Sequence, residues 1–100
     1  MLAAVVALVL LKGTVTIGPL TPVCRVGAPC DRPATHVVLT FASPLRTVRA
    51  TTGADGAYAV WLAPGAYTVT ASKGMRISPA QIVVRSTSRR QSFAIDTGIR

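Results

Sequence analysis

From Gly13 onward the apolar residues of this chain return every second position, and no stretch returns them every third or fourth. A period of two places alternate side chains on opposite faces of an extended strand, whereas an amphipathic helix repeats every ~3.6 residues. The chain can therefore build strands from there on, and its core must come from their inward faces. Alternation marks seven runs, at residues 13–17, 35–42, 45–50, 57–62, 66–71, 81–85 and 91–96. Their inward residues are Val15 and Ile17, then Val37, Leu39 and Phe41, then Tyr58, Val60 and Leu62. Tyr67, Val69 and Ala71 follow, then Ile82 and Val84, and last Phe93 and Ile95. Turn residues separate the runs: Ser43-Pro44, Asp55-Gly56 and Ala63-Pro64-Gly65, the last read as a tight hairpin. Residues 18–33 and 72–80 read as loops. Short strands with turns every ~8–12 residues predict an all-β fold, a seven-stranded antiparallel Greek-key β-sandwich. One hundred residues allow a single domain with one modest core.

The first eleven residues, MLAAVVALVLL, are apolar without a break. A membrane-spanning helix needs ~20 such residues, while the apolar core of a secretion signal needs ~7–15. Residues 1–12 are accordingly expected to be an apolar leader, the remnant of a signal peptide, with the domain at 13–100. No basic residue precedes the run, and neither an Ala-x-Ala site nor a cysteine follows it before Lys12-Gly13. An extra buried strand or a short apolar helix is the alternative. The leader implies an exported protein, secreted, periplasmic or at the cell surface.

Cys24 and Cys30 stand in the segment PVCRVGAPCDRP. Five residues separate them, unlike the spacing of a zinc knuckle or a C-x-x-C redox centre, and there is no second pair of cysteines or histidines. An even count in a loop rich in Pro and Gly suits an oxidising compartment, so the pair is expected to form a disulfide. Closing so short a loop contributes at most about 2–2.5 kcal/mol.

The charge is lopsided. Eleven Lys and Arg face three acids, for a formal +8, and there is no Glu and no Asn. Such a balance suits an anionic partner. Codon bias toward Ala, Arg, Val and Gly is the preferred explanation, because the arginines are scattered. Only Arg89 and Arg90 are adjacent. No aromatic residues are interleaved with them, so nucleic acid is not an expected partner.

Few residues could carry catalysis. His36 is the one histidine and falls on the face opposite Val37, Leu39 and Phe41. Of the three acids, Asp55 belongs to its turn, Asp96 closes the last run, and Asp31 lies in the cysteine loop. A nucleophile with base and orienting carboxylate, or a convergent carboxylate pair, needs more than these supply. Neither a metal site nor a cofactor is expected.

The pattern Asp55-Gly56-x-Tyr58-x-Val60-x-Leu62-x-Pro64-Gly65-x-Tyr67-Thr68-Val69 resembles the hairpin of carboxypeptidase regulatory-like domains, which belong to the transthyretin-like (prealbumin-like) sandwiches. Val15-Thr16-Ile17-Gly18-Pro19, the loop ending Asp31-Arg32-Pro33, and Asp96-Thr97-Gly98-Ile99-Arg100 are similar to segments of small exported bacterial proteins of that fold. The resemblance implies a transthyretin-like sandwich acting as a folding, positioning or adhesion module. Within the same fold, hydroxyisourate hydrolases carry several histidines and a C-terminal Tyr-Arg-Gly-Ser, where this chain ends Thr97-Gly-Ile-Arg100. Relatives with an internal isopeptide bond need an Asn or Asp and a buried acid near a lysine. Here the lysines are Lys12, at the domain edge, and Lys73, in a loop. The expectation is a non-enzymatic module of the cell envelope with a structural or protein-interaction role. Trp61, opposite in parity to Tyr58, Val60 and Leu62, is the candidate anchor, either partly covered by the N-terminal segment or exposed to a partner. Arg46, Arg49, Arg85, Arg89 and Arg90 complete the candidate surface, and the alternative partner is an anionic cell-wall polymer or phospholipid.

Overall fold

A computed structural model describes residues 8–18, 31–87 and 89–98 of the chain. Cys24 and Cys30, with the disulfide expected of them, lie outside the described residues. The described chain is all-β, with nine strands: β1 (Val9–Gly18), β2 (Arg32–Pro33), β3 (Val38–Ala42), β4 (Thr47–Thr51), β5 (Ala57–Leu62), β6 (Gly65–Ala71), β7 (Arg76–Ser78), β8 (Gln81–Val84) and β9 (Phe93–Asp96).

The strands form two sheets. In the first, β1 is the central strand. One of its edges pairs antiparallel with β5 over residues 9–14 and with β2 at Thr16 and Ile17. The other edge pairs with β9, and β7 closes the sheet beyond it. The two edges are distinguished by backbone bonds that alternate along the strand. Val15 N donates to Gly56 O and Val15 O accepts from Ala34 N on one side, while Lys12 N donates to Arg89 O and Lys12 O accepts from Gln91 N on the other. The second sheet runs β4-β3-β6-β8, antiparallel throughout.

Inward side chains of both sheets make one core. Val15, Tyr58, Leu62 and Phe93 come from the first sheet, and Leu39, Phe41, Val69 and Val84 from the second. Phe41 lies 6.1 Å from Tyr58 and 6.0 Å from Phe93, centroid to centroid, and Tyr58 lies 5.7 Å from Phe93. The two Phe41 pairs bridge the sheets, tilted and edge-on, and Tyr58 and Phe93 pair within the first sheet, all in favoured geometries.

Several expectations need correction. The described residues form nine strands where seven were expected, because β2 and β7 lie in segments read as loops. β7 has a single buried residue, Ile77, too little to show a period. The sandwich is not wholly antiparallel, since β1 and β9 run parallel. The Pro64-Gly65 turn closes no hairpin, because β5 pairs with β1 in one sheet and β6 with β3 and β8 in the other. It is an arch that carries the chain across the core. The first strand starts at Val9 rather than Gly13. Val9 and Leu11 face the core, while Lys12 on the outer face is exposed. Residues 9–12, read as the end of an apolar leader or as an extra strand, belong to β1. The third strand starts at Val38, so His36 stands in a turn with φ of 53° rather than on a strand.

Among the described residues, the buried polar side chain of Thr52 joins the sheets' connections near His36. Its hydroxyl donates to Ala34 O (2.5 Å) and accepts from Val37 N (2.8 Å). Its backbone also bonds both His36 and Val37.

Candidate functional site

Along β1 and β5 the outward side chains pair across the sheet. Leu10 stands opposite Trp61, and Lys12 opposite Ala59. Trp61 points away from the core as its parity requires. It is 57 % exposed despite its apolar neighbour. Both readings of Trp61 thus meet in one place: the N-terminal strand supplies Leu10 beside it, and more than half of its surface faces solvent.

The other edge of β1 brings in the adjacent arginines. Lys12 forms a parallel bridge with Arg90, and its backbone bonds Arg89 O (3.1 Å) and Gln91 N (2.9 Å). These bonds fix the main chain of residues 89–91 against the strand. Gly13 permits this approach, since a Cβ there would overlap the Gln91 carbonyl and touch the Tyr58 ring. That same carbonyl accepts the Tyr58 hydroxyl. Burial pushes the Tyr58 pKa up, so the phenol remains a neutral donor there.

The result is a cleft of about 720 Å³ between Trp61 and the arginine segment. It is lined by Leu8, Val9, Leu10, Lys12, Trp61, Pro64, Ser86, Arg89 and Arg90. A second cleft, about 560 Å³, lies across the arch and shares Pro64. Leu45, Arg46, Ala63 and Tyr67 are among its walls. The arch is held by the Tyr67 hydroxyl, which donates to Ala63 O (2.6 Å). The turn carrying Leu45 is closed by Ser43 N donating to Arg46 O (2.9 Å) and Arg46 N donating to Ser43 Oγ (3.3 Å). Leu45, expected to open a strand, sits instead at the tip of this turn and is 93 % exposed.

The structure therefore gathers Trp61, Arg89 and Arg90, and sets Arg46 just across the arch. Arg85 follows Val84, whose partner is Gly65 of the arch, and so belongs to the same end. Arg49 does not. It stands opposite Thr40 at the middle of the β4 edge strand. Lys12 and Leu10 belong to the Trp61 cleft although sequence reasoning passed over them, whereas Leu45 lies outside that cleft, across the arch. No alternation signalled the first two, because Leu10 continues the apolar run of Val9 and Leu11. Ser43-Pro44 was a signal for a turn at Leu45.

The remaining polar candidates lie at the opposite end, and each has a local position. Asp55 Oδ1 accepts from Ala57 N (3.0 Å), closing the turn in which Gly56 takes φ of 80°. Asp96 Oδ1 accepts from Gly98 N (2.8 Å). Asp31 precedes Arg32, the partner of Ile17. His36 is exposed in its turn. Among the described residues no three His, Cys, Asp or Glu side chains come together. The charge is consequently polarised. All three acids occupy the end with the β4–β5 turn and the last residues of β1, where Arg32, Lys73 and Arg76 also lie. The Trp61 end carries Lys12, Arg46, Arg85, Arg89 and Arg90, with no acid among the described residues.

Comparison of the chain with family models, curated proteins and solved structures finds no match.

Proposed function

We propose that this chain is a non-catalytic, exported binding module, a transthyretin-like Greek-key sandwich of the cell envelope, that holds an anionic partner at its Trp61 end. One observation carries the reading: an exposed tryptophan, backed by Leu10, stands beside Lys12, Arg89 and Arg90 in a single cleft. Tryptophan offers a rigid apolar face, and guanidinium groups offer planar, paired donors to phosphate, sulfate or carboxylate. The non-catalytic reading is supported by where the chemical side chains sit. Asp55 and Asp96 accept backbone amides, and His36 is in an exposed turn at the other end. The polarity of the charge favours a selected surface over codon bias, which would scatter arginine without regard to the fold. Trp and Arg are also the side chains that most often dominate protein interfaces, so an acidic envelope protein is the second occupant this surface suits.

Trp61 is the chain's one tryptophan and reports directly on the site. Titration with dextran sulfate is expected to change its emission at low salt, with affinity falling as salt screens the contact over ~10 Å and less. Emission indifferent to the polyanion at low salt would contradict the proposal.

A further inference from the structure

We propose that the anionic partner is a phospholipid bilayer, and that the Trp61 end docks on it with Leu45, Trp61 and Leu8 entering the headgroup layer while Arg46, Arg89 and Arg90 meet the phosphates. This rests on the anion-binding reading above and narrows it to one surface.

Three features argue for a bilayer. The first is the projecting apolar set. Leu45 at 93 %, Trp61 at 57 % and Leu8 at 46 % exposure all lie at one end. Single exposed apolar residues are ordinary on a protein surface. Three at one end, among cations, form an amphipathic tip, the arrangement that partitions into the boundary between headgroups and acyl chains. Tryptophan in particular favours that depth. The second feature is the absence of acids at this end among the described residues, so nothing there opposes an anionic surface. The third is the lack of groups suited to a sugar polymer. Reading hydroxyls requires free acceptors and amides. The neutral polar side chains lining the two clefts are Ser86, Ser43 and Tyr67. The Ser43 hydroxyl is engaged with Arg46 O, and the Tyr67 hydroxyl with Ala63 O.

The chain enters β1 at this same end, through Leu8 and Val9. The turn at Leu45 is closed by its own backbone and Ser43 bonds, so the leucine can be replaced without disturbing the core.

The test follows Trp61 emission of the full chain with vesicles of phosphatidylglycerol and phosphatidylcholine, with vesicles of phosphatidylcholine alone, and with dextran sulfate. A shift to shorter wavelength with the anionic vesicles, absent with the neutral ones, is expected. Leu45→Ser should weaken vesicle binding about tenfold while leaving dextran sulfate binding unchanged. Arg89→Gln and Arg90→Gln should each cost roughly fivefold, and Arg32→Gln at the other end should cost little. If dextran sulfate binds and Leu45→Ser leaves vesicle binding unaltered, the bilayer inference is wrong and the anion-binding reading stands. Equal binding to neutral and anionic vesicles also overturns the inference. If neither vesicles nor polyanion bind, both fall.

Discussion

Trp61 and Leu45 show how differently two residues can be read from sequence. The outward position of Trp61 follows from parity alone, since Tyr58, Val60 and Leu62 had to face the core. Leu45 looked like a strand residue, because a leucine beside alternating residues carries no sign that its backbone is turning. Thr52 was invisible, as nothing local marks a threonine whose partners lie fifteen and eighteen residues away. It is 1 % exposed, so Thr52→Val would leave a buried N–H and a buried carbonyl without partners. The expected loss in unfolding free energy is about 1–3 kcal/mol by denaturant titration, with Thr52→Ser closer to the parent. Tyr58 has a signature in pH. Its folded pKa lies above the ordinary 10.0, so the unfolded chain loses this proton first as pH rises. The stability this tyrosine contributes is fully present below pH 10 and is lost as pH climbs beyond it. Tyr58→Phe forfeits the bond to Gln91 O and should be less stable by about 1 kcal/mol at pH 7. That gap should narrow above pH 10, as measured by unfolding at a series of pH values. Parallel curves would contradict the assignment.

At the scale of elements, β3, β5 and β6 were legible because their buried residues alternate with more exposed ones over five or more positions. β1 was legible only from Gly13. Upstream its outer face carries Leu8 and Leu10 as well as its inner face Val9 and Leu11, so the alternation vanished into a continuous apolar run. The apolar outer face is the one that backs Trp61, so the same residues that hid the strand help to make the site. The Pro64-Gly65 reversal was correctly placed but wrongly paired. A turn signal specifies a change of direction, while the sheet that receives the returning strand depends on β3 and β8, distant in sequence. The link between β1 and residues 89–91 depends on Gly13. Gly13→Ala would drive a Cβ into the Gln91 carbonyl and push that segment off the strand. The expected cost is about 1–3 kcal/mol in stability. A weaker Trp61 response to polyanion should accompany it, because Arg89 and Arg90 move with the segment. Normal stability and unchanged binding in this variant would show that the glycine does not hold the arginines in place.

For the whole molecule, composition disclosed the amount of charge and concealed its arrangement. The arginines are scattered along the sequence, yet the β5–β6 arch, the β3–β4 turn and the entry to β1 collect five cations at one end. The acids collect at the other, because Asp55 and Asp96 close turns there and Asp31 leads into β2. This separation exists only once the strands are paired, which is why the sequence alone favoured codon bias over anion binding. It also gives the account its most direct test. The doubles Arg89→Glu/Arg90→Glu and Arg32→Glu/Lys73→Glu carry the same net charge and alter only exposed positions. Affinity for anionic vesicles or dextran sulfate, read from Trp61 at low salt, should collapse in the first double and stay within a few fold of the parent in the second. Equal losses in the two would mean that net charge alone governs binding and that the Trp61 end is not a site.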